Sequence, residues 1–163
     1  MRPSRMIALS VVAALLTILA RPAEAVFPRL LMVYGGALAR PLIVESPQDV
    51  QRIFEEVSEG VDRNGLNRRP YFELALFWGN DVWDRYVHEG RLSQLKPEDA
   101  TSELVPMRGI PIRGRFFPAC AEAPAQITLT EVNSEAIQSI WRVSPEGLQV
   151  LEKLGVPIRR DCK

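Results

Sequence analysis

Asp84 and His88 are the pair whose residue types and spacing come closest to a catalytic arrangement. If residues 81–89 form a helix, positions four apart share a face, so the Asp84 carboxylate can orient the His88 imidazole. Such a pair serves general acid–base catalysis or, with further ligands, a metal site. The alternative, an exposed ion pair worth about 0.3 kcal/mol, is the more common use of this spacing. Three polar residues flank the pair: Asn80, Asp81 and Glu89.

Three arginines form a second candidate site, for binding rather than catalysis. Arg108, Arg113 and Arg115 lie in residues 105–120, which contain no acidic residue. In an extended segment, alternation places Arg113 and Arg115 on the same side. Guanidinium groups presented together suit a carboxylate, phosphate or sulfate. The alternative is that these arginines pair with acidic residues elsewhere in the fold.

Aromatic residues form a third feature, and Trp83 is the one that we expect to contribute to binding. Trp78, Trp83 and Tyr86 lie close together in sequence, and Phe116–Phe117 follows later. Aromatic rings on a rigid rim can stack on a ligand or cover a partner surface. The competing interpretation is that most of these rings pack in the core.

Cys120 and Cys162 are the only cysteines, and we expect them to form a structural disulfide. Closing a loop of about 43 residues stabilises the fold by about 4 kcal/mol in the entropic description. A redox pair or a metal site fits less well, because there is no C-x-x-C spacing and His88 is the single histidine. The sequence also lacks a nucleophile elbow, a phosphate-binding glycine loop and an H-E-x-x-H motif. It therefore predicts no cofactor and no metal.

The first 25 residues have the three-part layout of a secretory signal peptide. Arg2 and Arg5 precede an apolar run over residues 6–20, and Ala23 and Ala25 offer a small-x-small cleavage site. The run is shorter than the roughly 20 residues that span a bilayer. We expect cleavage after Ala25 and export to the periplasm or the extracellular space. The alternative is an uncleaved segment that tethers the protein to a membrane.

The first half of the remaining chain contains recognisable strand and helix signals. Two apolar runs around Gly35–Gly36 predict a hairpin, and Pro41 places its second strand at an edge. Ser46 and the following proline predict a helix start, with apolar residues at helical spacing through Val57 and a stop at Gly60. Residues 61–70 read as a surface loop. Residues 71–78 read as a central strand covered on both faces.

In the second half, residues 105–124 carry four prolines and two glycines, which predicts an extended, ordered wrap without a long regular element. Residues 126–132 predict a strand with Ile127 and Leu129 on one face. Residues 135–143 fit a strand or a helix, and the strand is favoured because Ser144 opens another helix at once.

Together these patterns predict a single small α+β domain over residues 26–163, with a largely antiparallel sheet and two main helices packed on it. Lysine occurs only at Lys96, Lys153 and Lys163, which weakly indicates bacterial coding bias. Basic and acidic residues are balanced, which argues against nucleic-acid partners. We expect an exported, non-catalytic module that binds a ligand or a protein partner, with no membrane contact after cleavage. A small hydrolase or metal-assisted enzyme using Asp84 and His88 is the alternative function.

The leader and the disulfide are tested by one mass measurement on the protein recovered from the exported fraction. We expect a chain that begins at Val26 and that does not react with a thiol-alkylating reagent until it is reduced. The reduced protein is the control, and it should take up two alkyl groups. A chain that retains residues 1–25 contradicts the cleavage, and alkylation without reduction contradicts the disulfide.

Overall fold

A seven-stranded antiparallel sheet is the framework of the part of the chain that the structure describes. The computed structural model describes residues 27–54, 56–57, 66, 68–100, 111–130 and 137–161. The strands are β1 (Leu30–Tyr34), β2 (Leu42–Val44), β3 (Glu56–Val57), β4 (Phe72–Phe77), β5 (Arg113–Phe117), β6 (Gln126–Thr130) and β7 (Ile137–Arg142). Their order is β2-β1-β4-β5-β6-β7-β3, and every pairing between neighbouring strands is antiparallel. The two-residue β3 is the shortest strand and lies at one edge.

Two main helices pack on one face of the sheet, so the predicted α+β fold is confirmed. They are α1 (Pro47–Ile53) and α3 (Pro145–Lys153). The short α2 (Asn80–Trp83) continues directly into a π-helical turn, Asp84–His88. Two 3-10 turns follow it, Leu92–Gln94 and Pro97–Asp99. Among the described residues, no helix has the length and apolar character needed to cross a membrane.

Serine caps start both main helices, as the sequence predicts. The Ser46 hydroxyl accepts a hydrogen bond from the Asp49 N–H at 3.3 Å. The Ser144 hydroxyl accepts one from the Gly147 N–H at 2.9 Å and donates one to the Arg52 carbonyl at 2.8 Å. Because Arg52 lies in the last turn of α1, the second cap also joins the two helices.

Both faces of β4 are buried, which confirms its predicted central position. On the helix face, Leu74 and Leu76 belong to one apolar cluster with Ile53 of α1 and Leu151 of α3. On the opposite face, Ala75 and Phe77 belong to a second cluster, which also includes five other buried residues: Leu30, Met32, Val82, Leu95 and Ala100. Residues 80–100 therefore cover one end of the face that the two main helices leave open.

The amino-terminal hairpin is also confirmed. β1 and β2 pair with Leu31 opposite Val44, and β2 lies at the sheet edge. Gly35 and Gly36 form the turn with φ of 72° and 58°, a conformation that glycine adopts without steric cost.

The predicted extent of the first helix is wrong. α1 ends at Ile53, and Val57 instead pairs with Trp141 across the β3–β7 ladder. The apolar spacing of Val57 fits a helix, but the backbone pairing with a strand distant in sequence decides its conformation. Gly60, the predicted stop, lies outside the described residues.

The extended wrap predicted for residues 105–124 contains a regular strand that the sequence analysis did not foresee. β5 is a five-residue strand inside the sheet, paired on both sides. A Cβ at Gly114 would lie 2.5 Å from the Thr128 carbonyl oxygen and 3.0 Å from Leu129. Gly114 is therefore required by close strand packing, although in sequence it resembles a strand breaker.

Two further strands agree with the sequence. β6 places Ile127 and Leu129 in the cluster on the helix face, as predicted. Residues 137–142 form β7, so the strand interpretation of this ambiguous segment is confirmed. The predicted leader, Arg108 and Cys162 lie outside the described residues.

Gly147 lies at the contact between α1 and α3, where alanine should destabilise the helix instead of stabilising it. A Cβ at Gly147 would lie 2.8 Å from the Ile53 Cα and 2.9 Å from the Arg52 carbonyl oxygen. Alanine favours a helix by about 1 kcal/mol over glycine, whereas overpacking costs about 1–3 kcal/mol. We expect Gly147→Ala to lower the free energy of unfolding in a denaturant titration, because the new Cβ would force backbone atoms of α1 to move.

Gln149→Ala, at an exposed position of the same helix, is the control and should change the free energy of unfolding by less than about 0.5 kcal/mol. A stabilised Gly147→Ala protein would show that the two helices are not in close contact there.

Candidate functional site

The sheet brings Arg113 and Arg115 to one face, as alternation along β5 predicts. The register places Tyr34 opposite Glu73, and Glu73 opposite Arg115, in one row across β1, β4 and β5. Tyr71, just before β4, lies against the same face because its ring packs on Phe117. We call Tyr34, Tyr71, Glu73, Arg113 and Arg115 the Arg–Tyr cluster.

Arg113 reaches across the sheet and is held by a tyrosine. Its Nη1 donates a hydrogen bond to the Tyr34 hydroxyl at 3.2 Å. On β4, between the strands of Arg113 and Tyr34, Ala75 lies opposite Arg113. The small side chain of Ala75 leaves room for the aliphatic part of the Arg113 side chain. Arg113 forms no salt bridge with any carboxylate in the part of the chain that the structure describes.

Arg115 is held by stacking more than by its ion pair. Its guanidinium carbon lies 4.6 Å from the centroid of the Tyr71 ring. Its Nε lies 3.7 Å from Oε1 of Glu73, which is longer than a hydrogen bond. The Arg115 side chain is 47% exposed and that of Glu73 is 36% exposed, so their attraction is weak in water.

A buried arginine, Arg69, packs beside the cluster against the Phe117 ring. Arg69 is 9% exposed, although residues 61–70 read as a surface loop. It donates hydrogen bonds to the carbonyls of Pro118 and Pro124 at 2.6 and 3.0 Å, and to the Gln126 side chain at 2.9 Å. Its guanidinium also lies 5.8 Å from the Phe117 ring, on which Tyr71 packs.

The electrostatics of the cluster keep Tyr34 neutral. Burial raises the pKa of the Tyr34 phenol above its ordinary value of 10.0; Arg113 opposes this shift, and Glu73 and Glu98 add to it. Burial lowers the pKa of Arg69, but a guanidinium remains charged at any physiological pH. The cluster therefore contains the two guanidinium groups of Arg113 and Arg115, the Glu73 carboxylate and a neutral Tyr34 hydroxyl.

Asp84 and His88 are not brought together as a catalytic pair. Both side chains are exposed, and in the described part of the chain neither has a hydrogen-bond or ion-pair partner. They lie in the π turn, in which the Glu89 N–H bonds to the Asp84 carbonyl five residues back. Across the described residues, no three His, Cys, Asp or Glu side chains lie together in a group able to hold a metal ion.

Trp83 has a structural contact that its sequence position does not reveal. Its indole N–H donates to the Glu45 carbonyl at 3.3 Å, and its ring packs against the second apolar cluster. It is half-buried and joins residues 80–100 to the end of β2. Asn80 and Asp81 begin the same short helix, and Arg108 lies outside the described residues.

An open groove of about 1140 Å³ lies beside Pro70, the residue that precedes Tyr71. Its walls are the 119–124 loop and residues 159–161, with Ala37 and Pro70 completing the lining. Cys120 is the one candidate residue of the sequence analysis that lines it. Ala119 pairs with Arg159, and the Arg160 N–H donates to the Ala119 carbonyl at 2.9 Å.

Comparison with protein-family models, with curated proteins and with solved structures finds no match for this chain.

Four residues of this region escaped the sequence patterns. Tyr34, Tyr71 and Glu73 read as parts of strands, and only the pairing of three strands places them beside the arginines. Arg69 reads as one of several loop arginines. Its neighbour Arg68 has the same residue type and is exposed, so residue type alone does not separate the two.

Arg69 should be the more important of these two adjacent arginines for stability. We expect Arg69→Met to lower the free energy of unfolding by about 3 kcal/mol, because it leaves buried carbonyl and amide oxygens without donors. Arg68→Met is the matched control and should cost less than about 0.5 kcal/mol. Equal losses in urea-unfolding curves of the two variants would contradict the assigned role of Arg69.

Proposed function

We propose that this protein is an exported, non-catalytic module that binds a ligand or a protein partner through the Arg–Tyr cluster. The observation that carries this proposal is the convergence of Arg113 and Arg115 with two tyrosines on one sheet face. The arginines lie on a central strand that is paired on both sides, so the backbone holds their spacing.

The residue types of the cluster support a binding role. Tyrosine and arginine are enriched among residues that contribute most to binding energy. Tyr71 is an exposed large hydrophobic side chain, 36% accessible, and Arg115 stacks on it. Stacking restricts the rotamers of Arg115 before any ligand arrives, which lowers the entropy lost on binding.

The alternative function, a hydrolase or metal-assisted enzyme using Asp84 and His88, has no supporting contact among the described residues. The two side chains point into solvent without a base–orienter hydrogen bond, which such chemistry needs. The tethered-protein alternative depends on the leader and is addressed by the mass of the exported chain.

Export and the disulfide are part of the same proposal. The pairing of Ala119 with Arg159 brings the chain that leads to Cys162 beside the residue that precedes Cys120. This proximity supports a Cys120–Cys162 link, which an oxidising compartment would maintain. The periplasm or the extracellular space is therefore the proposed location.

The function is tested by screening the purified protein against a panel of small carboxylates, phosphates, sugars and short peptides by calorimetry. We expect at least one binder whose affinity falls at least about tenfold in the double variant Arg113→Gln/Arg115→Gln. Arg91→Gln is the control, since Arg91 also forms an exposed pair with a glutamate, Glu89, at 3.0 Å.

Two results contradict the proposal. In one, every binder has the same affinity for the double variant as for the native protein. In the other, the protein converts a bound compound to product and the conversion disappears in His88→Gln.

A further inference from the structure

We propose that the Arg–Tyr cluster binds an extended acidic segment of a protein partner, with two carboxylates on alternate residues contacting Arg113 and Arg115. This inference rests on the proposed function and adds the chemistry of the partner. It also assigns a recognition role to Tyr34 and a competing role to Glu73.

The cluster has unused hydrogen-bond donors. A guanidinium carries five N–H groups, and Arg113 uses one of them on Tyr34 in the described contacts. Because the Tyr34 oxygen accepts that bond and its phenol stays neutral, its own hydrogen is free to donate. Among the described residues, the carboxylate that Arg115 contacts is that of Glu73, at 3.7 Å, so its donors are available there for a shorter bond. These donors suit a carboxylate, which accepts only.

The spacing of the arginines favours an extended peptide over a small anion. Arg113 and Arg115 are two residues apart on a strand, so their Cα atoms are separated by about 6.7 Å. Side chains on the same side of an extended partner segment recur at the same interval. Arg113 is held toward Tyr34 and Arg115 toward Tyr71, so the two guanidinium groups have different anchors.

Glu73 competes with the carboxylate of the partner for the Arg115 guanidinium. It lies between Tyr34 and Arg115 in the row across the sheet, and it is partly exposed. A partner carboxylate that forms a true hydrogen bond to Arg115 replaces a loose ion pair with a shorter one. Removing the Glu73 charge should therefore tighten binding, while removing either arginine should weaken it.

The test uses three probes with the same charge: a seven-residue peptide with two glutamates two positions apart, its isomer with adjacent glutamates, and free succinate. Binding is measured by calorimetry at low salt, where exposed charges are least screened. We expect the spaced peptide to bind at least about fivefold more tightly than either other probe, because only it matches the strand interval.

The variants should change the affinity for the spaced peptide in opposite directions. We expect Arg113→Gln and Arg115→Gln each to weaken it about tenfold, Tyr34→Phe to weaken it about threefold, and Glu73→Gln to tighten it about threefold. Arg91→Gln and Glu89→Gln form the matched control pair and should leave it unchanged. Thermal unfolding of each variant checks that the fold is intact.

Equal binding of the two isomers, or succinate binding as tightly as the spaced peptide, would overturn the extended-segment inference. So would an affinity that does not respond to the arginines or to Glu73. If some other compound of the calorimetric panel still depends on both arginines, the inference fails and the proposed function stands. If no compound depends on them, both fail.

Discussion

The register between β4 and β5 is the constraint on which the candidate site depends. It places Glu73 opposite Arg115 and brings Tyr71 beside Phe117. Burial of β4 on both faces holds this register, because a slip of one residue would send Leu74 and Leu76 to the wrong face. Gly114 contributes as well, since any side chain there would collide with the Thr128 backbone. The Arg–Tyr cluster is thus positioned by apolar packing and by the close strand contact that Gly114 allows.

The contacts within the cluster restrain its two arginine side chains. Its cations are held in place by neutral rings and a hydroxyl, with Glu73 as a weak, solvent-exposed partner. Arg69 holds the loop next to the cluster, because it donates hydrogen bonds to the Pro118 and Pro124 carbonyls on either side of residues 119–123. A buried guanidinium is costly unless its donors are used, so this contact makes the loop geometry specific. The groove beside Pro70 is bordered by the same loop.

Much of the fold was predictable, because its signals are either local or repeated along a strand. The Ser46 and Ser144 caps, the glycine hairpin and the buried central strand are all confirmed. The failures occurred where a distant partner decides conformation: Val57 fits a helix by spacing but pairs with β7, and Gly114 resembles a breaker but lies in a central strand. For the site, the sequence predicted the shared face of Arg113 and Arg115. It did not predict Tyr34, Tyr71, Glu73 or Arg69 beside them, because these contacts join residues far apart in the chain or depend on burial.

The sequence by itself determined the features that a few neighbouring residues control. A serine cap needs only a backbone N–H three residues on, and a glycine turn needs only its own φ. The tertiary structure decided which arginines are buried, which contact tyrosine side chains and which are exposed to solvent. Arg68 and Arg69 are adjacent and of the same residue type. Arg68 is exposed, whereas Arg69 is buried and donates three hydrogen bonds. The physical reason is that burial and strand pairing depend on residues far apart in the chain, whose meeting no local pattern specifies.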